Sequence, residues 1–117
     1  MKVSKTDPSK RAPDEGALFL GEVKRLPLVQ EGAHRMVEVT FKNGAKTKMH
    51  THGSDQLLII SSGNGIVGTP SDKWDVVPGD AVYIPAQEPH FHGAAPGKDM
   101  AHYSILGPEG GLKIVES

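Results

Sequence analysis

The chain has 117 residues, no cysteine and a formal net charge of −1 at pH 7. That length points to one domain with one core, and the absence of cysteine excludes disulfides and thiolate metal sites. The near-balanced charge argues against nucleic acid or an anionic membrane surface as partner, and no apolar run is long enough for a membrane-spanning helix.

The N-terminus lacks the apolar core of a secretory signal, so the cytoplasm is the expected location. Fourteen glycines and nine prolines punctuate short apolar runs. No stretch keeps a helical period. Many short strands separated by Gly/Pro turns make the expected fold all-β, a sandwich or barrel.

Residues 1–16 read as a flexible arm: charged, with two prolines and few apolar side chains. The barrel is expected over 17–117. Ala17 to Leu26 is the first predicted strand, with Gly21 as a bulge, and Pro27 opens a loop that runs through Gly32. His34 to Lys42 alternates, with Val37, Val39 and Phe41 on one face. Asn43-Gly44 carries a hairpin signal, because both central residues of a type I′ turn need positive φ. Lys46 to Thr51 then returns as a strand. If it is regular, Lys46, Lys48, His50 and His52 share a face. Gln56 to Ser61 is an apolar strand, followed by a turn at Gly63-Asn64-Gly65.

Pro70-Ser71-Asp72 and Pro78-Gly79-Asp80 are further turns, enclosing KWDVV. Ala81 to Pro85, His90 to Ala94 and Asp99 to Leu106 are strands, and LKIVE ends the chain as a short one. Trp74 is expected to fill the core or a subunit interface. Tyr83 and Tyr103 are read as packing residues. His34 is given no role in a site.

Two His-x-His pairs stand out, His50 with His52 and His90 with His92. Alternate residues of a strand share a face, so each pair aims two imidazoles in one direction. Imidazole ligates zinc, iron, copper and nickel. A metal pocket on a β-scaffold follows, with Gln56 a few residues beyond the first pair.

The two motifs together resemble those of the cupin superfamily. Gly44, His50, His52, Gln56 and Gly63 occupy the places of the first motif, with Gln56 where a glutamate is usual. Gly79, Pro85 and His90 match the second, with Ala94 in place of a frequent asparagine. The stretch PHFHGAAPGKDMAHYSIL is also similar to small cupins associated with carboxymuconolactone decarboxylases. The resemblance implies a single jelly-roll β-barrel of two antiparallel sheets. It also implies His50, His52, Gln56 and His90 as ligands of a divalent transition metal: iron, manganese, zinc or nickel.

Three neutral imidazoles and an amide would leave the local charge near that of the ion. Such a site favours an anionic ligand, a carboxylate or sugar acid. His92 and His102 are the candidate proton-transfer groups, His92 being open also to a fifth-ligand or structural role. Lys48 would hold an anion only if its strand stays regular into the site. The expected function is a metal-dependent enzyme: an isomerase or tautomerase, a decarboxylase, a lyase or a dioxygenase. The alternative is a non-catalytic small-ligand-binding module. A homodimer is expected, as is common for cupins. Histidines must be neutral to ligate, so acid near about pH 5 is expected to release the metal.

Overall fold

The computed structural model describes residues 1–116; Ser117, the last residue of the expected barrel, lies outside the described residues. Among them there is no α-helix, and only Pro8–Lys10 makes a short 3-10 turn. The strands are β1 (Ala12–Pro13), β2 (Phe19–Glu31), β3 (His34–Thr47), β4 (His50–Thr51), β5 (Gln56–Gly63), β6 (Gly65–Gly68), β7 (Lys73–Val76), β8 (Ala81–Ile84), β9 (Phe91–Ala94), β10 (Met100–Leu106) and β11 (Lys113–Ile114). All of their pairings are antiparallel.

The long β3 organises the barrel. Its first half pairs with β10, which continues through β5 to β8. Near its end Lys46 lies opposite Gly93 of β9, which continues through β6 to β7. β2 runs along the other edge of β3. One nine-stranded sheet therefore curls through β3 from one wall to the other, and β4 with β11 forms a separate two-stranded sheet. The architecture is an all-β jelly-roll barrel.

The switch of partner along β3 occurs at Asn43-Gly44. Both residues have positive φ, 49° and 78°, as the sequence requires, but the chain makes no hairpin there. Their amide N–H groups donate instead to the Asp99 carboxylate and the Lys98 carbonyl, each at 2.8 Å. β2 pairs with β3 on both sides of this excursion, Glu22 opposite Lys42 and Leu20 opposite Lys46. The dipeptide is thus a bulge that bends a continuing strand. The β2–β3 hairpin turns earlier, through Gly32 and Ala33 between Glu31 and His34. Its positive φ of 53° at Gly32 suits a tight two-residue loop.

Pro27 does not end β2. It lies in the strand opposite Val37, and the register shifts just beyond it. A proline lacks an N–H to give, and a strand near the sheet margin can tolerate that loss. The expected bulge at Gly21 is present, with a register shift and a φ of 92°. The first residues follow β2: Lys2 meets Glu31, Ser4 meets the Leu28 carbonyl, and Ala12 and Pro13 pair with Arg25 and Lys24 in turn. Arg11 forks onto the buried Glu38 carboxylate with bonds of 2.7 and 3.0 Å, the geometry that makes a guanidinium–carboxylate pair strong.

The core is the inward side of the alternating strands. Val37, Val39 and Phe41 of β3 meet Leu58 and Ile60 of β5 and Met100 of β10, all buried. Leu57 and Ile59, one residue out of phase, are exposed. Polar groups take the same inward phase nearer the other end: Gln56, His102 and Ser104 are buried. Trp74 is half exposed and belongs to no core. No helix among the described residues is long and apolar enough to cross a membrane.

Candidate metal centre

The two histidine motifs are tied together through their backbones. His50 and His90 exchange N–H···O bonds of 2.9 and 3.0 Å as an isolated bridge. The Gln87 amide donates to the His52 carbonyl at 2.9 Å. This brings the His50 and His90 rings to 4.2 Å between centroids, and His52 to 4.8 and 5.3 Å from them. The ligating nitrogens of the three all fit within 4.8 Å of one another. Gln56 enters from the start of β5, opposite Leu106 and Ile84.

The regular strand expected from Lys46 to His52 is broken. β3 ends at Thr47 and β4 begins at His50. Lys46 instead lays its ammonium over the Phe91 ring, 5.6 Å from the centroid, and Lys48 does not line the cavity. The backbone of Lys48 has a role its side chain lacks. Its carbonyl accepts the His50 Nδ1 hydrogen at 2.7 Å. The Glu88 carbonyl does the same for His90 Nδ1 at 2.8 Å.

Those two bonds define the chemistry. A carbonyl only accepts, so both Nδ1 atoms carry hydrogen, and in the neutral rings both Nε2 atoms present lone pairs. His90 Nε2 lies 3.2 Å from Gln56 Oε1. The Gln56 NH₂ donates to Ser104 Oγ at 2.8 Å. Two acceptors therefore face each other in a buried place, an arrangement that repels until a cation sits between them. His50 Nε2 is likewise 3.2 Å from His52 Nε2. The donor set fits a divalent transition metal, and the Nδ1–H···O=C bonds are the outer contacts that fix metal-binding imidazoles. Burial also holds the rings neutral, lowering His50 to about 3, His52 to about 4, and His90 below its ordinary value.

His92 and His102 form a second pair beside the first. His102 Nε2 and His92 Nδ1 are 2.9 Å apart and share a hydrogen. Both rings are buried, which pushes His92 well down and His102 down to about 4. His92 Nε2 and His102 Nδ1 are buried with no hydrogen-bond partner. Phe41 packs on both rings, at 5.9 and 5.3 Å between centroids, and the Thr47 hydroxyl accepts the His92 backbone N–H at 3.1 Å. The His92 ring lies 5.5 Å from His50 and 5.8 Å from His90. β9 can approach this closely because of Gly93. A Cβ there would stand 2.4 Å from the Lys46 Cα and 2.7 Å from the Ala45 carbonyl oxygen.

A cavity of about 500 Å³ reaches these groups; His50, His52, Gln56, His92, His102 and Ser104 line it. Its walls are apolar, with Leu18, Phe19, Val37, Leu106, Leu112 and Ile114. Its charged lining residues are Asp14, Arg25 and Arg35. Sequence reasoning missed both arginines and Ser104. Their signal lay in strand register, which a single sequence does not display. Tyr83 points away, giving its hydroxyl to Asp55 at 2.8 Å, and neither tyrosine lines this cavity. His34 is exposed at the start of β3.

Comparison with known proteins agrees with the barrel fold. A family model described as a cupin domain matches residues 37–106. The (R)-mandelonitrile lyase of Granulicella tundricola is 38% identical over 91 residues, 74% of this chain and 70% of that protein. A cupin-like protein from Thermotoga maritima superposes with a TM-score of 0.86 at 28% identity, over 96% of this chain and 90% of that one. A polyketide cyclase from Streptomyces resistomycificus shares the fold, with a TM-score of 0.84 at 16% identity over 99% and 87% of the two chains. With both motifs inside the matched segment and the barrel built around them, the chain belongs to the cupin family.

Proposed function

We propose that the protein is a metal-dependent enzyme acting on a small organic molecule, with His50, His52, Gln56 and His90 as ligands of a divalent transition metal. Iron, manganese, zinc and nickel all suit this donor set. The observation that carries the reading is the unprotonated His90 Nε2 held 3.2 Å from Gln56 Oε1. When bound, the ion supplies a Lewis acid that polarises a substrate oxygen.

The chain's own residues then divide the work. Gln56 adds no negative charge, so the site stays cationic and favours an anionic substituent such as a carboxylate or sugar acid. His92 is the proton acceptor. With its Nδ1–H donated to His102 Nε2, its Nε2 lone pair is free. A proton taken at His92 Nε2 is shared over both rings through the 2.9 Å bond.

Isomerisation, decarboxylation, lyase chemistry and dioxygenation remain the reaction classes this set can serve. Lyase chemistry on an α-hydroxy compound has the most support, from the 38% identity to a mandelonitrile lyase. In such a step His92 Nε2 takes the hydroxyl proton and the bond to the nitrile carbon breaks. The electron pair leaves with cyanide and an aldehyde remains. The exposed Leu57, Ile59 and Tyr83 support the further proposal of a homodimer. The test is release of benzaldehyde from mandelonitrile by metal-loaded protein. Release faster than the uncatalysed rate, abolished by a chelator, is expected. If mandelonitrile and a panel of uronates and small carboxylates all fail as substrates, the enzyme reading gives way to a binding module.

A further inference from the structure

Two cationic side chains line the cavity, and nothing in the metal chemistry uses them. Arg25 lies on β2 opposite Val39, and Val39 lies opposite His102. Directly opposed residues of antiparallel strands point to one face, so Arg25, Val39 and His102 form a row on the concave side. Arg35 belongs to a second row. It lies opposite Gln30 on one side and Leu106 on the other, and Leu106 lies opposite Gln56. Each arginine is thus two strand spacings, roughly 10 Å of backbone, from the polar groups of the centre.

Their hydrogen bonding differs. Arg35 spends Nη1 on the Gly32 and His34 carbonyls, at 3.0 and 2.8 Å, which steadies it. The Arg25 guanidinium makes no hydrogen bond among the described residues; its Nη1 stands 3.7 Å from Asp14 Oδ2. Asp14 is partly committed, since its Oδ1 accepts the Gly16 N–H at 2.9 Å. One carboxylate against two guanidiniums leaves the cavity lining with a positive excess before any metal is counted. The Arg25 side chain is 43% exposed while His102 is fully buried, which places the charge at the rim and the histidines at the floor.

We infer that Arg25, supported by Arg35, is the specificity residue that receives a substrate carboxylate at the rim while the reacting oxygen lies among the histidines. The inference rests on reading this cavity as the substrate site, and it narrows the substrate to a monoanion. Its carboxylate stands apart from the reacting carbon, across about one aromatic ring. A guanidinium with free donors offers a carboxylate two parallel bonds, and the apolar walls between rim and floor suit the intervening ring.

The test compares 4-carboxybenzaldehyde with 4-formylbenzamide, equal in shape and differing by one charge. Titration calorimetry on wild-type protein should show the carboxylate binding about tenfold tighter, the scale of a charge-assisted bond. In Arg25→Gln the preference should fall to about twofold or less, with amide affinity and metal content unchanged. Arg25→Lys should recover part of it, less than the guanidinium because it lacks the fork. If Arg25→Gln does not fold, salt gives the second measurement. Raising it from about 0.02 to 0.5 M should shrink the wild-type preference severalfold, because a rim charge is screened.

Equal affinity for the two aldehydes, no binding of either, a preference independent of salt, or a preference surviving in Arg25→Gln would each overturn the inference. Repeating the titration on chelator-treated protein separates the two readings. A carboxylate preference that persists there, beside failure of mandelonitrile cleavage, keeps Arg25 and removes the lyase.

Discussion

His90 Nε2 and Gln56 Oε1 face each other across 3.2 Å, and neither has a hydrogen to give. The Gln56 NH₂ points the other way and donates to Ser104 Oγ at 2.8 Å. Ser104→Ala leaves that NH₂ without its acceptor, so the metal-free amide gains by turning the NH₂ to His90 Nε2. Metal affinity should then fall by about tenfold or more, the usual cost of losing an outer-contact partner. Gln56→Glu should hold metal at least as tightly and lower its Lewis acidity. Competition with a fluorescent chelator measures the metal affinity of both variants.

The buried His92–His102 pair gives a second expectation. His92→Gln should keep the metal, since His50, His52, Gln56 and His90 are intact, and should slow mandelonitrile cleavage by roughly a hundredfold or more. His102→Gln should act through the same shared hydrogen, so the double variant should be little slower than either single one. Metal loss in His92→Gln would make His92 a ligand and displace the four-residue assignment. Two independent, multiplying losses would mean that the pair does not act as a unit.

Legibility divided along a physical line. The histidine pairs could be read directly, because a two-residue spacing keeps side chains on one face of an extended chain, even where β4 ends at Thr51. Gln56 was legible only through the resemblance to the cupin motif, since an apolar run such as Gln56–Ser61 does not show which of its faces is buried. What escaped depended on partners distant in sequence. Asn43-Gly44 specifies positive φ, but the Asp99 carboxylate and Lys98 carbonyl decide that the chain bulges rather than reverses. Lys46 and Lys48 lost their expected face because β3 breaks after Thr47. Arg25 and Arg35 reach the cavity only through the β2–β3 and β3–β10 registers.

Proton linkage follows from burial. His102 is lowered from 6.5 to about 4, so between those values the unfolded chain binds a proton that the folded chain does not. Stability of the metal-free protein should therefore be full above about pH 6.5 and fall as the pH drops; the His102 share of the loss is complete near pH 4, while His50, lowered to about 3, carries the fall further. His102 alone accounts for about 3 kcal/mol, at about 1.4 kcal/mol per unit. Urea unfolding at several pH values checks the slope, and His102→Gln should reduce it, leaving the part owed to the other buried histidines. The same burial protects the metal. With His50 lowered to about 3 and His52 to about 4, release on dialysis should begin below the pH 5 that unperturbed histidines suggest.

The crossing of β9 over β3 supplies a structural expectation. Gly93→Ala puts a methyl against the Lys46 backbone, which no rotamer change relieves. β9 must move, and with it His92. A loss of roughly 1–3 kcal/mol or more is expected, as for overpacking elsewhere, accompanied by weaker metal binding. A thermally unaffected Gly93→Ala protein would show that the strands part without cost.

The central claim is that His50, His52, Gln56 and His90 hold one metal ion, and elemental analysis of the purified protein tests it most directly. About one equivalent of a single transition metal per chain is expected in the wild type, as purified or after reconstitution, and little in a folded His90→Ala variant, given that a centre of this kind needs its full donor set. Folded wild-type protein that takes up no iron, manganese, zinc or nickel, or a His90→Ala variant that retains a full equivalent, would contradict the account.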